Sequence, residues 1–408
     1  MNTWINIPNN SDFTIHNLPY GVFMRDQKPT PGIAIGDSII DLNAAAKCGL
    51  FKNLDLNSSV FESDVLNDFI ECGRNAWSSL RSFIISELTT EGELFENKDK
   101  IIVDRKNAQM CLPIQIGDYT DFYSSIEHAT NLGKLFRPNS EPLLPNWRHI
   151  PVGYHGRASS IVISGTPIKR PQGQMKPPTE EKPIFGHSKR LDIELEMAFI
   201  IGSSTKLGES IAVEDAEDHI FGKVIFNDWS ARDIQGWEYV PLGPFLGKNF
   251  ASTISPWIVT MEALEPFRCE SIKQDPPVLP YLQYDGDKNF DIQLEVGIAP
   301  KEEEETIISQ SNFKFMYWNM AQQLAHHTVN GCNVNIGDVM ASGTISGRDQ
   351  NSYGSLIEIS KGGKEPIQLK NNKERTFLED GDSVTIRAWC QKGDIRIGFG
   401  ECEGTIVS

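Results

Sequence analysis

The sequence predicts a mainly β protein with inserted helices (α+β), and two patterns support that fold class. From about residue 112 onward, glycine and proline separate short apolar runs, which is typical of β-strands joined by turns. Between residues 62 and 90, apolar residues instead recur every three or four positions, which is the spacing of one face of a helix. Because domains average about 150 residues, a chain of 408 residues is expected to form two to three of them.

The first 118 residues predict a small domain that combines strands with helix. Residues 32–42, GIAIGDSIIDL, predict two short strands around a Gly-Asp turn. Gly73 is expected to interrupt or bend the helical segment, and the polar stretch 91–100 is expected to form a loop. The change of pattern predicts a boundary near residue 118, with domains of 1–118 and 119–408.

The remainder predicts a larger β-rich domain with two helices. The first helix is expected to start near Tyr123, and the second to have Ser311 or Asn312 as its N-cap and to end before Gly331. The four glutamates at 302–305 are expected to form a solvated turn, since adjacent carboxylates repel and no basic block lies near them in the sequence. The predicted strands are residues 160–164, 191–201, 223–226, 292–298 and 384–389.

Composition excludes several classes of partner. The 38 basic residues face 55 acidic ones, a net charge of −17, which argues against a nucleic-acid backbone binder. No stretch approaches the roughly 18 apolar residues of a membrane span, and the first residues lack the pattern of a secretory signal. The seven cysteines are odd in number and contain no CxxC pair, which is typical of reduced thiols. A cytoplasmic protein without nucleic-acid or membrane partners is expected.

One predicted strand carries an unusual set of carboxylates. In Asp192 to Phe199, side chains alternate between faces, so Asp192, Glu194 and Glu196 are predicted to share one face. An ordinary amphipathic strand with a wet acidic face explains the same pattern. Further converging carboxylates would instead indicate a hard divalent cation, which prefers oxygen ligands.

Two turn-rich segments offer such carboxylates, namely Asp118 with Asp121 and Asp228 with Asp233. Capping of turns is the alternative for each of these aspartates. His128 is a candidate general base, with a packed or surface histidine as the alternative.

Arg137, Arg232, Gln235 and Lys248 lie in turn-rich or strand-end stretches, where they could hold carboxylates or an oxyanion. Surface charge or local ion pairs are the alternative for the basic residues. No P-loop lysine, GxSxG elbow or nucleophilic-cysteine signature is present. Among hydrolytic mechanisms, this favours an activated water over a covalent intermediate.

Five motifs together resemble the fumarylacetoacetate hydrolase family. The resemblance implies a small SH3-like N-terminal barrel, a large C-terminal β-roll and a homodimer. It implies metal-dependent hydrolysis of the carbon–carbon bond of 4-fumarylacetoacetate, a dicarboxylic diketo substrate, to fumarate and acetoacetate, the last step of tyrosine and phenylalanine degradation. The motifs are IGDYTDFYSS at 116–125, PVGYHGRASS at 151–160, ELEMAF at 194–199, NDWSARDIQ at 227–235 and ASGTISG at 341–347.

The resemblance also implies roles for individual residues. The ligands of Ca²⁺ or Mg²⁺ would be Asp121, Glu194, Glu196 and Asp228. The general base would be His128 paired with Glu358, and the groups facing the oxyanion and leaving group would be Arg232, Gln235 and Lys248. The substrate would be held by Tyr123, Arg137, Tyr154, Tyr239 and Thr344. A second, structural Mg²⁺ site would use the region of Lys248 and Ser252. The family has threonine at the position of Ser252.

Two other readings remain open. A related acylpyruvate hydrolase or β-keto acid decarboxylase would share the carboxylate site, although the presence of His128, Glu358 and a long N-terminal segment speaks against it. A noncatalytic protein that binds a dicarboxylate would share the metal site and lack a base beside it.

Overall fold

The N-terminal domain is built on a small antiparallel sheet. The computed structural model describes residues 3–408, apart from the side chain of residue 371. The spatial order of the sheet is β4-β3-β2-β1-β5, and the predicted hairpin forms its centre, with Gly36 in the turn at a φ of 56°. Its strands are β1 (Tyr20–Arg25), β2 (Lys28–Ile35), β3 (Ser38–Asp41), β4 (Ile102–Asp104) and β5 (Met110–Cys111).

Helices cover this sheet and confirm most of the helical prediction. Gly73 has a φ of 80°, which interrupts the helix where the sequence predicts a break. The prediction of a loop over 91–100 is wrong, because two short helices form there and bury Leu94 and Ile101 completely. The helices are α1 (Leu42–Lys47), α2 (Asn67–Glu71), α3 (Gly73–Thr89), α4 (Glu93–Glu96) and α5 (Lys98–Ile101).

The C-terminal domain is a large curled arrangement of strands with few helices, which confirms the predicted fold class. The helices are α6 (Ile126–Phe136), α7 (Arg232–Glu238), α8 (Met261–Leu264), α9 (Met320–Thr328) and α10 (Leu356–Ile359). The strands are β6 (Tyr119–Phe122), β7 (Gly153–His155), β8 (Ile161–Ile163), β9 (Ile168–Lys169), β10 (Gln172–Met175), β11 (Ile184–His187), β12 (Leu191–Asp192), β13 (Leu195–Ile201), β14 (Ile220–Asp228), β15 (Ser230–Ala231), β16 (Ser252–Ile254), β17 (Val259–Thr260), β18 (Arg268–Cys269), β19 (Asn289–Phe290), β20 (Gln293–Ala299), β21 (Thr306–Asn312), β22 (Val339–Ala341), β23 (Ile367–Gln368), β24 (Glu374–Arg375), β25 (Ser383–Lys392) and β26 (Ile395–Val407).

Two sheets organise these strands. The larger sheet has the order β7-β6-β22-β13-β14-β16-β8, with β17 also paired to β14, and the smaller has the order β21-β20-β25-β26-β9. The largest apolar core contains Met197 and Phe199 from the first sheet and Leu294 and Ile386 from the second. Strand β13 therefore lies beside β14 and is separated from β6 by β22 alone.

The predicted start of the late helix is wrong. Ser311 and Asn312 belong to β21, whose backbone groups are paired with β20, and Asn312 caps only a single 3₁₀ turn. Helix α9 begins at Met320 with Asn319 as its N-cap, where Asn319 and Gln322 form a reciprocal capping box. At Ser311 and Asn312, pairing with β20 therefore outweighed the helical spacing of the sequence.

The four glutamates at 302–305 do lie in a turn, between β20 and β21. They are not without basic partners, however. Lys370, Lys373 and Arg387 each approach one of these carboxylates to within 3.3 Å. These partners are distant in sequence, so local charge patterning does not reveal them. No helix of residues 3–408 has the length and apolar character that a membrane crossing requires.

Candidate active site

Four buried carboxylates converge on the large sheet. Asp121 lies on β6, Glu196 on β13 and Asp228 at the end of β14, while Glu194 immediately precedes β13. Strand β13 pairs with both β14 and β22, and β22 pairs with β6, so this order brings the four residues together. One oxygen of each lies within 4.8 Å of the others, and each residue is at most 5% exposed.

The other carboxylates considered from the sequence lie outside this cluster. The strand is interrupted between β12 and β13, and the side chain of Asp192 turns to Arg232 instead of joining Glu194 and Glu196. Asp118 is exposed. Asp233 accepts a hydrogen bond of 2.6 Å from the hydroxyl of Ser188.

Two cations only partly neutralise the cluster. Lys248 Nζ contacts Glu194 and lies 2.5 Å from Asp228 Oδ2, and Arg232 Nη1 lies 2.8 Å from Glu194 Oε1. Burial alone would raise the pKa of Glu194, but Lys248 and Arg232 outweigh it and lower that pKa to about 2. Glu194 is therefore ionised at neutral pH.

Asp121 and Glu196 lie in the opposite electrostatic situation. Burial, followed by the charge of neighbouring carboxylates, raises the pKa of both residues well above its usual range. Within the described part of the chain, Asp121 Oδ1 and Glu196 Oε1 are buried without any hydrogen-bond partner. Such unpartnered oxygens are costly unless a proton or a cation binds them.

These observations fit a hard divalent cation. The donors are all carboxylate oxygens, which suit Mg²⁺ or Ca²⁺. Hydrogen bonds from outside the cluster orient two of its members. Gly343 N donates to Glu196 Oε2 at 3.0 Å, Ser252 Oγ donates to Asp228 Oδ1 at 2.8 Å, and the hydroxyl of Tyr154 donates to Asp228 Oδ2 at 3.3 Å.

His128 lies on the first turn of α6, whose N-cap is Ser125. Its Nδ1 is 2.6 Å from Glu358 Oε2, and both residues are 2% exposed. Burial would raise the pKa of Glu358, but His128 and the surrounding hydrogen-bond donors outweigh it and lower that pKa. An ionised carboxylate only accepts hydrogen bonds, so Nδ1 carries the proton.

Three further residues hold Glu358 in place. Asn131 Nδ2 donates to its Oε1 at 2.9 Å, Ser355 Oγ donates to its Oε2 at 2.7 Å, and Ser346 Oγ contacts both oxygens at 2.9–3.0 Å. Sequence reasoning missed all three as functional residues. Ser346 does lie in the glycine-flanked motif at 341–347, which was the available signal.

A cavity of about 590 Å³ connects the four-carboxylate cluster with the His128–Glu358 pair. Its lining includes His128, Asp121, Glu194, Lys248 and apolar side chains, among them the largely exposed Leu242. Every substrate-binding residue predicted from the resemblance also lines it: Tyr123, Arg137, Tyr154, Tyr239 and Thr344. The predicted oxyanion residues Arg232 and Gln235 line it as well.

Besides Asp121 Oδ1, three buried polar atoms of the lining residues have no hydrogen-bond partner among the described residues. They are Arg137 Nε, Arg232 Nη2 and Thr344 Oγ1. Because unpaired polar atoms are unfavourable, their presence in one cavity indicates a site for a polar ligand. Four of the predicted site residues do not line the cavity: Glu196, Asp228, Glu358 and Ser252.

Two family models cover nearly the whole chain. "Fumarylacetoacetase N-terminal" matches residues 16–113, and "Fumarylacetoacetate (FAA) hydrolase C-terminal" matches residues 119–407. The chain belongs to the fumarylacetoacetate hydrolase family. The resemblance inferred from the motifs is confirmed.

Similar proteins support the same assignment to the fumarylacetoacetate hydrolase family. The chain is 50% identical to fumarylacetoacetase of Homo sapiens over 412 positions, which span 99% of this chain and 98% of the human protein. It is 51% identical to fumarylacetoacetase of Dictyostelium discoideum, spanning 100% and 98% of the two chains. A solved fumarylacetoacetate hydrolase from Exiguobacterium antarcticum has the same fold, with a TM-score of 0.55, 18% identity and coverage of 96% and 99%.

Proposed function

We propose that this chain hydrolyses the carbon–carbon bond of 4-fumarylacetoacetate to fumarate and acetoacetate. The main support is sequence identity: about half of the residues, over nearly the full length, are identical to those of fumarylacetoacetases from distant organisms. The chain is accordingly a hydrolase that acts on a carbon–carbon bond, in the degradation of tyrosine and phenylalanine. The cavity chemistry agrees, since it combines an acidic cluster, a histidine–carboxylate pair and free cationic donors.

The proposed metal ligands are Asp121, Glu194, Glu196 and Asp228. The unpartnered oxygens of Asp121 and Glu196 support this assignment, and the all-oxygen donor set favours Ca²⁺ or Mg²⁺. A divalent cation held by these residues would supply Lewis-acid polarisation of the substrate. The second Mg²⁺ site stays a proposal at Lys248 and Ser252, supported by the contact of Ser252 with Asp228.

The proposed general base is His128. Because Nδ1 is bonded to Glu358, Nε2 is the ring nitrogen that takes a proton from a water molecule in the cavity. The water oxygen then bonds to the carbonyl carbon beside the scissile bond. When that bond breaks, its electron pair leaves as the enolate of acetoacetate, and His128 returns the proton to the departing carbon.

The developing negative charge requires donors that are already in place. Arg232, Gln235 and Lys248 are proposed for this role, because all three line the cavity on the side of the acidic cluster. The free Nη2 of buried Arg232 supports the assignment. Donors that are already oriented stabilise a transition state without reorganisation at the moment of reaction.

The substrate is proposed to be held by Tyr123, Arg137, Tyr154, Tyr239 and Thr344. Arg137 suits a terminal carboxylate, because its Nε is buried and unpartnered while its Nη2 is anchored by donating to Pro142 O at 2.7 Å. The apolar residues of the lining suit the unsaturated carbon chain. Holding the substrate in the reactive geometry in this way lowers the barrier to the reaction.

A cytoplasmic homodimer is proposed for the whole molecule. The seven free cysteines support a reducing compartment. The loop after α7 exposes Val240, Leu242 and Phe245 at 67%, 96% and 66%, which offers apolar surface for a second subunit to cover. Sedimentation of the purified protein at two loading concentrations measures its mass and tests the dimer.

The function is tested by incubating the purified, Mg²⁺-loaded protein with fumarylacetoacetate. The loss of conjugated absorbance is followed while the products are identified by mass. Formation of fumarate and acetoacetate in equal amounts is the expected result. Release of CO₂ would instead indicate a decarboxylase, and binding without turnover would indicate a noncatalytic binding protein.

A further inference from the structure

We propose that Asp192 is a positioning residue that aligns Arg232 with the Glu358–His128 pair. Asp192 is completely buried, is not a member of the four-carboxylate cluster and does not line the cavity. It therefore acts on the reaction through other residues. The inference deepens the proposed function and rests on the roles assigned there to Arg232 and Glu358.

Each oxygen of the Asp192 carboxylate accepts two hydrogen bonds. Its Oδ2 accepts hydrogen bonds from Arg232 Nε at 2.7 Å and from Ile357 N at 3.0 Å. Its Oδ1 accepts from Leu356 N at 2.7 Å and from Ile193 N at 2.8 Å. A single buried side chain thus joins a cavity arginine to the first turn of α10.

Contact with Asp192 constrains the arginine. Strands β12 and β15 pair Asp192 with Ser230, two residues before Arg232, so the sheet brings the two side chains together. Asp192 binds Nε, and Nη1 is shared between Glu194 at 2.8 Å and Gln235 at 3.1 Å. Because a guanidinium is a rigid planar fork, fixing these two nitrogens fixes the direction of the free Nη2.

Contact with Asp192 also constrains Glu358. Helix α10 has only four residues, and it begins with the two residues whose N–H groups donate to Asp192. Glu358 is the next residue in the chain, and it contacts His128 Nδ1 at 2.6 Å. A helix this short depends on such anchoring contacts for its place. One carboxylate therefore sets the relative position of the proposed base and of an oxyanion donor.

An amide cannot replace this carboxylate. Asparagine has the same shape but only one acceptor oxygen, and its NH₂ group would face N–H donors. Asp192→Asn is therefore expected to release the arginine, the helix turn, or both. Since misplacement of catalytic groups by about 1 Å can cost about 100-fold in rate, we expect kcat to fall on the order of 100-fold.

The matched control is Asp233→Asn. Asp233 adjoins Arg232 in sequence but accepts hydrogen bonds from Ser188 Oγ and Lys189 N and does not line the cavity. We expect it to keep kcat within about threefold, and we expect KM in Asp192→Asn to change less than kcat. Calorimetric titration with Mg²⁺ counts the intact sites in each variant, so that kcat is expressed per intact site.

Double variants separate positioning from simple destabilisation. If Asp192 acts through its two partners, Asp192→Asn costs at least about threefold less in an Arg232→Gln background and in a Glu358→Gln background than in the wild type. A merely structural role predicts the same cost in all three backgrounds. An equal cost, or an unchanged kcat per intact site, would overturn the proposal.

A readout independent of turnover keeps the test valid if the proposed function fails. The His128 Nδ1 proton, in its short contact with Glu358, is observed as a low-field proton NMR signal. We expect Asp192→Asn to shift or broaden this signal and Asp233→Asn to leave it unchanged. A wild type that does not hydrolyse fumarylacetoacetate, with the signal still responding to Asp192→Asn, would refute the function and retain the positioning role. An unresponsive signal refutes the link from Asp192 to Glu358.

Discussion

Glu358 and the pair Asp121–Glu196 are buried carboxylates of one site with opposite surroundings. Asn131, Ser346 and Ser355 donate to Glu358, and its pKa is lowered. Asp121 and Glu196 each retain an oxygen without a partner, and their pKa values are raised. The protein completes the first arrangement by itself and leaves the second incomplete.

This difference separates two tasks. A carboxylate that orients a histidine has to be ionised and immobile before substrate arrives, and its own hydrogen-bond donors achieve both. Carboxylates that bind a cation need free oxygens and excess negative charge, which are unfavourable until the cation is bound. The two regions should therefore respond differently to substitution, to chelation and to pH.

The largest expected effect is that of His128→Ala. Loss of the proposed base should reduce kcat by about 1,000-fold, since general-base catalysis contributes about 100- to 10,000-fold. Metal affinity should stay unchanged, because His128 is not a member of the acidic cluster. Turnover and calorimetry on the same samples measure both. His326→Ala, on α9 outside the cavity, is the control. Loss of metal from His128→Ala would contradict the separation of the two regions.

Glu196→Gln should act on the other region. Removing one charged ligand is expected to weaken Mg²⁺ or Ca²⁺ binding by at least about 100-fold, while saturating metal recovers part of the rate. Asp118→Asn replaces an exposed carboxylate nearby and should bind metal like the wild type. Unchanged affinity in Glu196→Gln would remove this residue from the ligand set.

Glu358→Gln should lower kcat by about 100-fold and change KM less, because the amide no longer stabilises a charged His128. Steady-state kinetics at saturating Mg²⁺ measures the effect. Glu127→Gln, one residue before His128 on α6 and outside the cavity lining, is the matched control. If only KM rose, Glu358 would be a substrate-binding residue.

The smallest expected effect is a pH dependence of stability that the metal removes. Raised folded-state pKa values of Asp121 and Glu196 mean that the metal-free folded state binds more protons than the unfolded chain, so stability should fall as pH rises above about 5. A lowered folded-state pKa, such as that of Glu194 at about 2, has the opposite effect on stability. The stability that it contributes is lost only in acid. Saturating Mg²⁺ should remove the fall.

This behaviour is measured by thermal unfolding between about pH 5 and 8, with chelator and with Mg²⁺. The Tm of the chelated protein should decline across the range, and the gap between the two Tm curves should widen. Parallel curves would mean that the cluster neither holds excess protons nor binds the cation.

Much of the site is readable from the sequence, because strand alternation and the family motifs each concern local stretches. Alternation correctly placed Glu194 and Glu196 on a common side. Alternation failed for Asp192, because the strand breaks between β12 and β13, and a break of two residues leaves no trace in composition. One of the two partners of Asp192, the start of α10, lies more than 160 residues away in the chain.

In two other segments, contacts with distant parts of the chain decided the secondary structure against the local sequence pattern. The spacing before Met320 suits a helix, but residues up to Asn312 are drawn into β21 by pairing with β20. The segment 91–100 is polar, yet it forms two short helices that bury Leu94 and the adjoining Ile101. Such outcomes depend on the surfaces that other parts of the chain present.

The most direct test of the central claim combines metal binding with turnover on chelator-treated protein. Mg²⁺, or Ca²⁺ in a parallel series, is titrated calorimetrically, and the hydrolysis of fumarylacetoacetate is measured at each occupancy. We expect a tight site at the four carboxylates, activity that rises in proportion to its filling, and loss of that tight site in Glu196→Gln. Full activity in the metal-free protein, or a number of tight sites that Glu196→Gln leaves unchanged, would contradict this expectation.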